Sequence, residues 1–116
     1  MTTAEIAKDL IALCNAGKNM EAIDKYYDKN IVSLEKQEPM KETRGIEGVK
    51  GKNQWWVENH VVHGGSARGG WCNEDQFAVE FAFDITPKAT GQRVQMSEVG
   101  LFTVSKGKIV KEVFFY

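Results

Sequence analysis

The ten residues QFAVEFAFDI, Gln76 to Ile85, alternate apolar and polar positions without a break. Phe77, Val79, Phe81, Phe83 and Ile85 fall on one face, and Ala78, Glu80, Ala82 and Asp84 on the other, which predicts a strand with one dry face. Such a face must be covered by something apolar. RVQMSEVGLFTV and KIVKEVFFY alternate as well, and they are joined at SKGK, whose glycine supplies the backbone freedom of a tight hairpin turn. A long antiparallel meander therefore occupies the second half of the chain.

Upstream of His60 the apolar period is helical. From Thr3 to Ala16, Ile6, Leu10 and Leu13 recur on one stripe, and Thr2 with Glu5 three residues on has the form of a capping box. A second, shorter helix is expected from about Met20 to Asp28, with Met20, Ile23, Tyr26 and Tyr27 on its buried side. NIVSLEK reads as a short strand, and Pro39 to Arg44 as a loop. GIEGVKGKNQWWVENH gives a third helix with Ile46, Val49 and Trp56 along one stripe, leaving Trp55 for the mouth of any pocket. Helices first and strands after them predict an α+β fold in the order α-α-β-α-β-β-β-β, with the helices on one side of a curved sheet. A single domain, 1–116, is expected at this length.

Charge and composition narrow the function classes. Fifteen basic against sixteen acidic residues give a formal net charge of -1, so the chain has no cationic field for a phosphate backbone or an anionic lipid surface. Neither nucleic acid nor membrane is an expected partner. The opening MTTAEIAKDL carries charges where a signal peptide needs an apolar run, and a cytoplasmic location is expected. Cys14 and Cys72, far apart and outside any CxxC, suit buried reduced thiols. His60 and His63 stand three apart with no third ligand near in sequence, so neither a metal nor another cofactor is expected.

The run VVHGGSARGGWCN, Val61 to Asn73, holds four glycines within seven residues. It lacks the GK[ST] ending of a phosphate loop and follows a helix, whereas that loop follows a strand. On a strand, His63, Gly65, Ala67, Gly69 and Trp71 share one face. Gly65 and Gly69 then either leave volume for a ligand or a tryptophan of the third helix, or let the strand bend around the helices.

The order of these elements, with LCNAGKNMEAIDKYYDKNIVSLE, the RGIEGVKG entry to the third helix and the closing LFTVSKGKIVKEVFFY, resembles the nuclear transport factor 2-like superfamily. Within it the chain is similar to the SnoaL-like and ketosteroid-isomerase-like branch. The resemblance implies a cone whose sheet wraps the helices around a pocket, and a homodimer formed through the outer sheet face. It implies no particular activity, because the scaffold hosts many. Residues expected to line the pocket are Leu10, Tyr27, Trp56, Trp71, Phe77, Val79, Phe81, Met96, Gly100, Phe102 and Phe114.

In the isomerases of that branch a carboxylate at the end of the first strand moves a proton, while a tyrosine and a protonated aspartate stabilise the enolate oxygen. Carried over, the base falls on Glu35, and the two oxygen-stabilising donors fall on Leu10 and Gly100, which have none to offer. The match directs Met96, Glu98, Gly100 and Phe102 inward on one strand and Glu112, Phe114 and Tyr116 on the last. Glu98, Glu112 and Tyr116 thus join Glu35 as candidate catalytic groups. Two carboxyls buried side by side cannot both ionise cheaply, so one would keep its proton near neutral pH. A slip of one residue in register would instead put both glutamates in solvent. The polyketide-cyclase branch has an acid/base aspartate just beyond the last strand, and since the sequence stops at Tyr116 its absence is expected.

Two functions fit these residues. One is a domain that binds a small apolar ligand in the cone, and the other is an isomerase-, cyclase- or dehydratase-type enzyme working on an apolar carbonyl compound with Glu35 as base.

Overall fold

The computed structural model describes residues 1–38 and 40–116. Pro39, expected in a loop, lies outside the described residues. Helix α1 (Thr3–Asn15) starts on the reciprocal cap read from sequence: Thr2 Oγ1 accepts from the Glu5 amide at 3.1 Å, and the Thr2 amide donates to Glu5 Oε1 at 2.9 Å. Its buried stripe is Ile6, Ala7 and Leu10. Helix α2 (Asn19–Tyr26) follows after Gly17, whose φ of +74° suits the end of a helix.

Strand β1 (Tyr27–Leu34) begins three residues earlier than expected, directly at the end of α2. The predicted loop contains a further three-residue strand, β2 (Glu42–Arg44), paired antiparallel with Val32 to Leu34. Glu-Thr-Arg has no apolar alternation, and only its neighbour makes it a strand. Helix α3 (Ile46–Asn59) then leads into β3 (His60–Cys72), β4 (Gln76–Pro87), β5 (Val94–Ser105) and β6 (Lys108–Phe115). The six strands lie in the order β2-β1-β6-β5-β4-β3, with β1 parallel to β6 and every other neighbour antiparallel. The fold is α+β, with three helices on a curved mixed sheet that does not close. No helix among the described residues is long and apolar enough to cross a membrane.

The core lies between α1, α2 and the concave sheet face. Phe77 stacks on Phe102 at 4.9 Å between ring centroids, and Ile6, Ile31, Val79 and Ile109 are fully enclosed around them. Burying each such side chain contributes about 1.5–3 kcal/mol. Asn15, the last residue of α1, fixes the helix to the sheet with both ends of its amide: Nδ2 donates to the Ala67 carbonyl at 2.9 Å and Oδ1 accepts from the Ala67 amide at 2.7 Å.

The glycine run bends β3. Its ladder with β4 slips between Val62 and Gly64 and again between Gly69 and Trp71, where Gly69 and Gly70 take φ of +108° and +80°. Ala67 is buried, and Gly70 lies so close to α1 that a Cβ there would stand 3.2 Å from Ile11 Cδ1. The inserted residue reverses the alternation beyond it, so Trp71, expected in the pocket, points outward and is 60% exposed. Gly65 does leave volume, and Phe83 fills it: a Cβ at 65 would stand 3.2 Å from the Phe83 ring. Trp56 of α3 packs on that ring at 5.2 Å.

Candidate functional site

A cavity of about 160 Å³ opens between α1, α2, α3 and the concave sheet. Its apolar wall is a continuous set of rings. Trp56 meets Phe83, Phe83 lies parallel to Phe81 at 6.3 Å, and Phe81 and Phe114 each stand edge-on to Phe102, at 6.4 and 6.3 Å. Leu10, Ile23 and Val49 complete that wall from the helices.

The polar wall is interleaved with these rings, Glu98 pairing with Phe81 and Glu112 with Phe102 across the sheet, and three carboxyls face the cavity. Glu35 follows the last residue of β1, Glu98 lies on β5 and Glu112 on β6, and all three line the cavity. The alternation counted from Phe102 and Phe114 therefore gives the register, and the glutamates are not in solvent. With them is Lys52 of α3, whose Nζ donates to Glu35 Oε2 at 2.9 Å and to Ser33 Oγ. The Glu35 and Lys52 side chains are only 19% and 13% exposed, so this ion pair is shielded and orders the polar wall.

Each acid has a different environment. Glu112 is buried, accepts from Tyr27 Oη at 2.5 Å and lies beside Ser33, its partner across the parallel β1–β6 pairing. Burial pushes its carboxyl up, and the Tyr27 hydrogen bond, the Lys52 charge and the neighbouring Ser33 hydroxyl oppose the rise. Tyr27 in turn is held well above the usual phenol range, first by its own burial and then by the Glu112 charge. Glu98 has no hydrogen-bond partner among the described residues. Burial, then the charge of Glu35, pushes its carboxyl up to about 7, with Lys52 acting against the rise and Glu112 adding to it. Cys14 lines the same cavity as a thiol raised to about 11, by burial and then by Glu112. Cys72 is exposed, contrary to the sequence expectation.

Of the residues expected in the pocket, Leu10, Tyr27, Trp56, Phe81, Phe102 and Phe114 line it. Phe77 and Val79 sit instead in the closed core, where α1 covers the end of β4. Gly100 is buried beneath the Phe102 and Phe114 rings, and a Cβ there would come within 2.9 and 3.2 Å of them, which leaves no room for an aspartate. Met96 lines a separate open groove with Gly64 and Gly65. Tyr116, expected inward, is 44% exposed at the end of the sheet; its hydroxyl accepts from the Lys36 amide at 3.3 Å and stands beside Glu35. Trp55 is half-exposed and lies edge-on to His60, away from the cavity.

Lys52, Asn53 and Phe83 line the cavity but were not expected there, and Ser33 holds Lys52 from outside the lining. For two of them the signal is present in the sequence. Val49, Lys52, Asn53 and Trp56 follow the i, i+3, i+4, i+7 spacing, so a lysine and an asparagine sit in the middle of an apolar helical stripe.

Helices covering the concave face of a curved sheet are the cone architecture of the nuclear transport factor 2-like superfamily. The family model described as SnoaL-like domain matches residues 1–116, and the chain belongs to that family. It is 55% identical to a Mesorhizobium loti protein described as a candidate SnoaL-like polyketide cyclase, with carbohydrate phosphatase given beside that name; the TM-score is 0.97 and all of both chains is covered. A Xanthomonas campestris protein of unknown function with a cystatin-like fold is 19% identical at a TM-score of 0.80, covering 99% of this chain and 90% of that one. A candidate isomerase from Bacillus subtilis is 17% identical at a TM-score of 0.76, covering 98% and 88%. These last two share the fold. Among proteins of curated function, no match is found.

Proposed function

We propose that this protein binds a small, mostly apolar carbonyl compound in the cavity and moves a proton on it by general acid/base catalysis, with Glu98 exchanging the proton. The observation that carries this reading is the Glu98 carboxyl itself. It faces the cavity, has no protein partner among the described residues, and titrates at about 7, where a group can both take and return a proton at neutral pH. Glu112 is engaged by Tyr27, and Glu35 by Lys52. The base assigned to Glu35 by resemblance thus passes to Glu98, and Glu35 fixes the cation beside it.

Cavity size limits the ligand. A volume of about 160 Å³ is close to that of an apolar cavity that accepts benzene, about 150 Å³. A single ring fits within it, and a fused polycycle would have to extend through its open mouth. The name given to the Mesorhizobium loti relative, polyketide cyclase, is that of an enzyme acting on a carbonyl-bearing compound, which supports carbonyl chemistry here. A second reading, a binding domain without catalysis, is favoured by the apolar Leu10 and the closed Gly100 at the positions where the isomerases of this branch carry their donors.

Hydrogen exchange in D₂O separates the two. Cyclohexanone, cyclohexenone and acetophenone are incubated with the protein, and loss of the hydrogens α to the carbonyl is followed by NMR. Protein-dependent exchange is expected for at least one of them, rising with pH through about 7 and lowered roughly a hundredfold or more by Glu98→Gln. Exchange at the buffer rate for every ketone, or full exchange in Glu98→Gln, would leave the binding reading.

A further inference from the structure

We propose that Lys52 stabilises the negative charge that develops on the ligand's oxygen, in place of the two donors that this branch of the superfamily carries and this chain lacks. The inference deepens the proton-transfer reading and takes its chemistry from it. An ammonium has three N–H donors. Two are used, on Glu35 Oε2 and Ser33 Oγ, and these bonds orient the nitrogen. The described residues offer no third oxygen; Nζ stands 5.4 Å from the Phe114 ring centroid, so on that side it faces only a weak π acceptor. Lys52 and Glu98 both line the cavity, so one ring-sized ligand can reach both.

Other donors are excluded or weaker. Leu10 has none, Gly100 can carry none, the Tyr27 hydroxyl is committed to Glu112, and Tyr116 lies outside the cavity. Asn53 and Asn19 line the cavity, but their amides are neutral and a charged donor is roughly twice as strong, and the Cys14 thiol is a weak donor. The step balances. The Glu98 carboxylate takes a proton from the α carbon, the C–H electron pair forms a C=C bond, and the carbonyl π pair moves onto oxygen, where the Lys52 N–H meets it. Return of the proton from Glu98 to carbon reverses the electron flow, and nothing is oxidised or reduced. The Lys52 charge counters the repulsion between that oxyanion and Glu35.

The test uses 4-nitrophenol, a single-ring phenol whose phenolate resembles an enolate and whose ionisation is read by its colour, so no turnover is needed. In a crystal structure of the wild-type complex the phenolic oxygen should lie within hydrogen-bonding distance of Lys52 Nζ. In solution, Lys52→Met should raise the pKa of the bound phenol by about one unit or more relative to wild type, and Lys52→Arg should restore much of that difference. Lys50→Met, which removes a charge from the same helix outside the cavity, should leave it unchanged. An oxygen seated on Asn53 or away from Nζ, an unchanged phenol pKa in a folded Lys52→Met protein, or no saturable binding would overturn the proposal. The wild-type complex decides the matter even where Lys52→Met fails to fold. Oxygen on Lys52 with no ketone exchange would keep this assignment and remove the proton-transfer reading. Exchange with the phenol seated elsewhere would do the reverse.

Discussion

Gly69 and Trp71 share the outer surface of the β3 bulge, and the Trp71 ring lies directly where a Cβ on Gly69 would stand. Gly69 also has φ of +108°, a conformation that side chains resist. Any residue larger than glycine there must both strain the backbone and displace the indole. Gly64 on the same strand has open space around its Cα and no positive φ. Gly69→Val is therefore expected to lower stability by about 2 kcal/mol or more in urea denaturation, against a change within about 0.5 kcal/mol for Gly64→Ala. Equal midpoints for the two variants would show that the bulge does not depend on Gly69.

With Trp71 turned outward, the convex sheet face carries a row of apolar side chains, since Trp71 pairs with Ala78, Ala78 with Leu101, and Leu101 with Val113. Val99 and Phe115, also paired, lie in the adjacent row, and Phe115 is 55% exposed. Aromatic anchors at an otherwise small-residue face suit an interface between two copies. Light scattering is expected to give twice the 13.0 kDa chain mass, and Leu101→Lys, in the middle of the row, should return it to the single-chain value. A wild-type mass of one chain at high micromolar concentration would exclude the dimer.

What the sequence makes legible here follows where local pattern and global fold agree. The capping box at Thr2 and Glu5 is a local exchange of hydrogen bonds, and β4 announces itself by uninterrupted alternation. Glu98 and Glu112 are found because β5 and β6 keep their alternation intact up to Gly100, Phe102 and Phe114. Trp71 is misplaced because two positive-φ glycines insert a residue, and parity cannot be counted through a bulge whose position the sequence does not mark. β2 is invisible because pairing with β1 alone creates it. Phe77 and Val79 are on the correct face but at the closed end of the cone, a distinction in depth that alternation does not carry. Lys52 escapes because a charge on an apolar stripe is ordinarily solvated, and only Ser33 and Glu35, brought close by the fold, make it a buried group.

The raised Glu98 carboxyl makes stability depend on pH in a definite direction. Its folded pKa, about 7, stands above the unfolded value of 4.5, so the folded state binds this proton more tightly. The group's contribution is therefore most favourable below pH 4.5, is lost as pH rises from 4.5 to about 7, and is constant above that. At 1.36 kcal/mol for each pKa unit, the loss is ~3 kcal/mol as an upper figure, since water entering the cavity reduces it. Glu98→Gln keeps the shape of the side chain and cannot ionise. Urea denaturation should find the variant more stable than wild type at pH 8, by ~1–3 kcal/mol, and close to it at pH 4.5. Glu112 shifts in the same direction and remains in the variant, so the slope between these pH values should shrink without vanishing. Parallel stability curves for the two proteins would mean that Glu98 is solvated in the folded state, and the proton-exchanging role assigned to it would fall with that result.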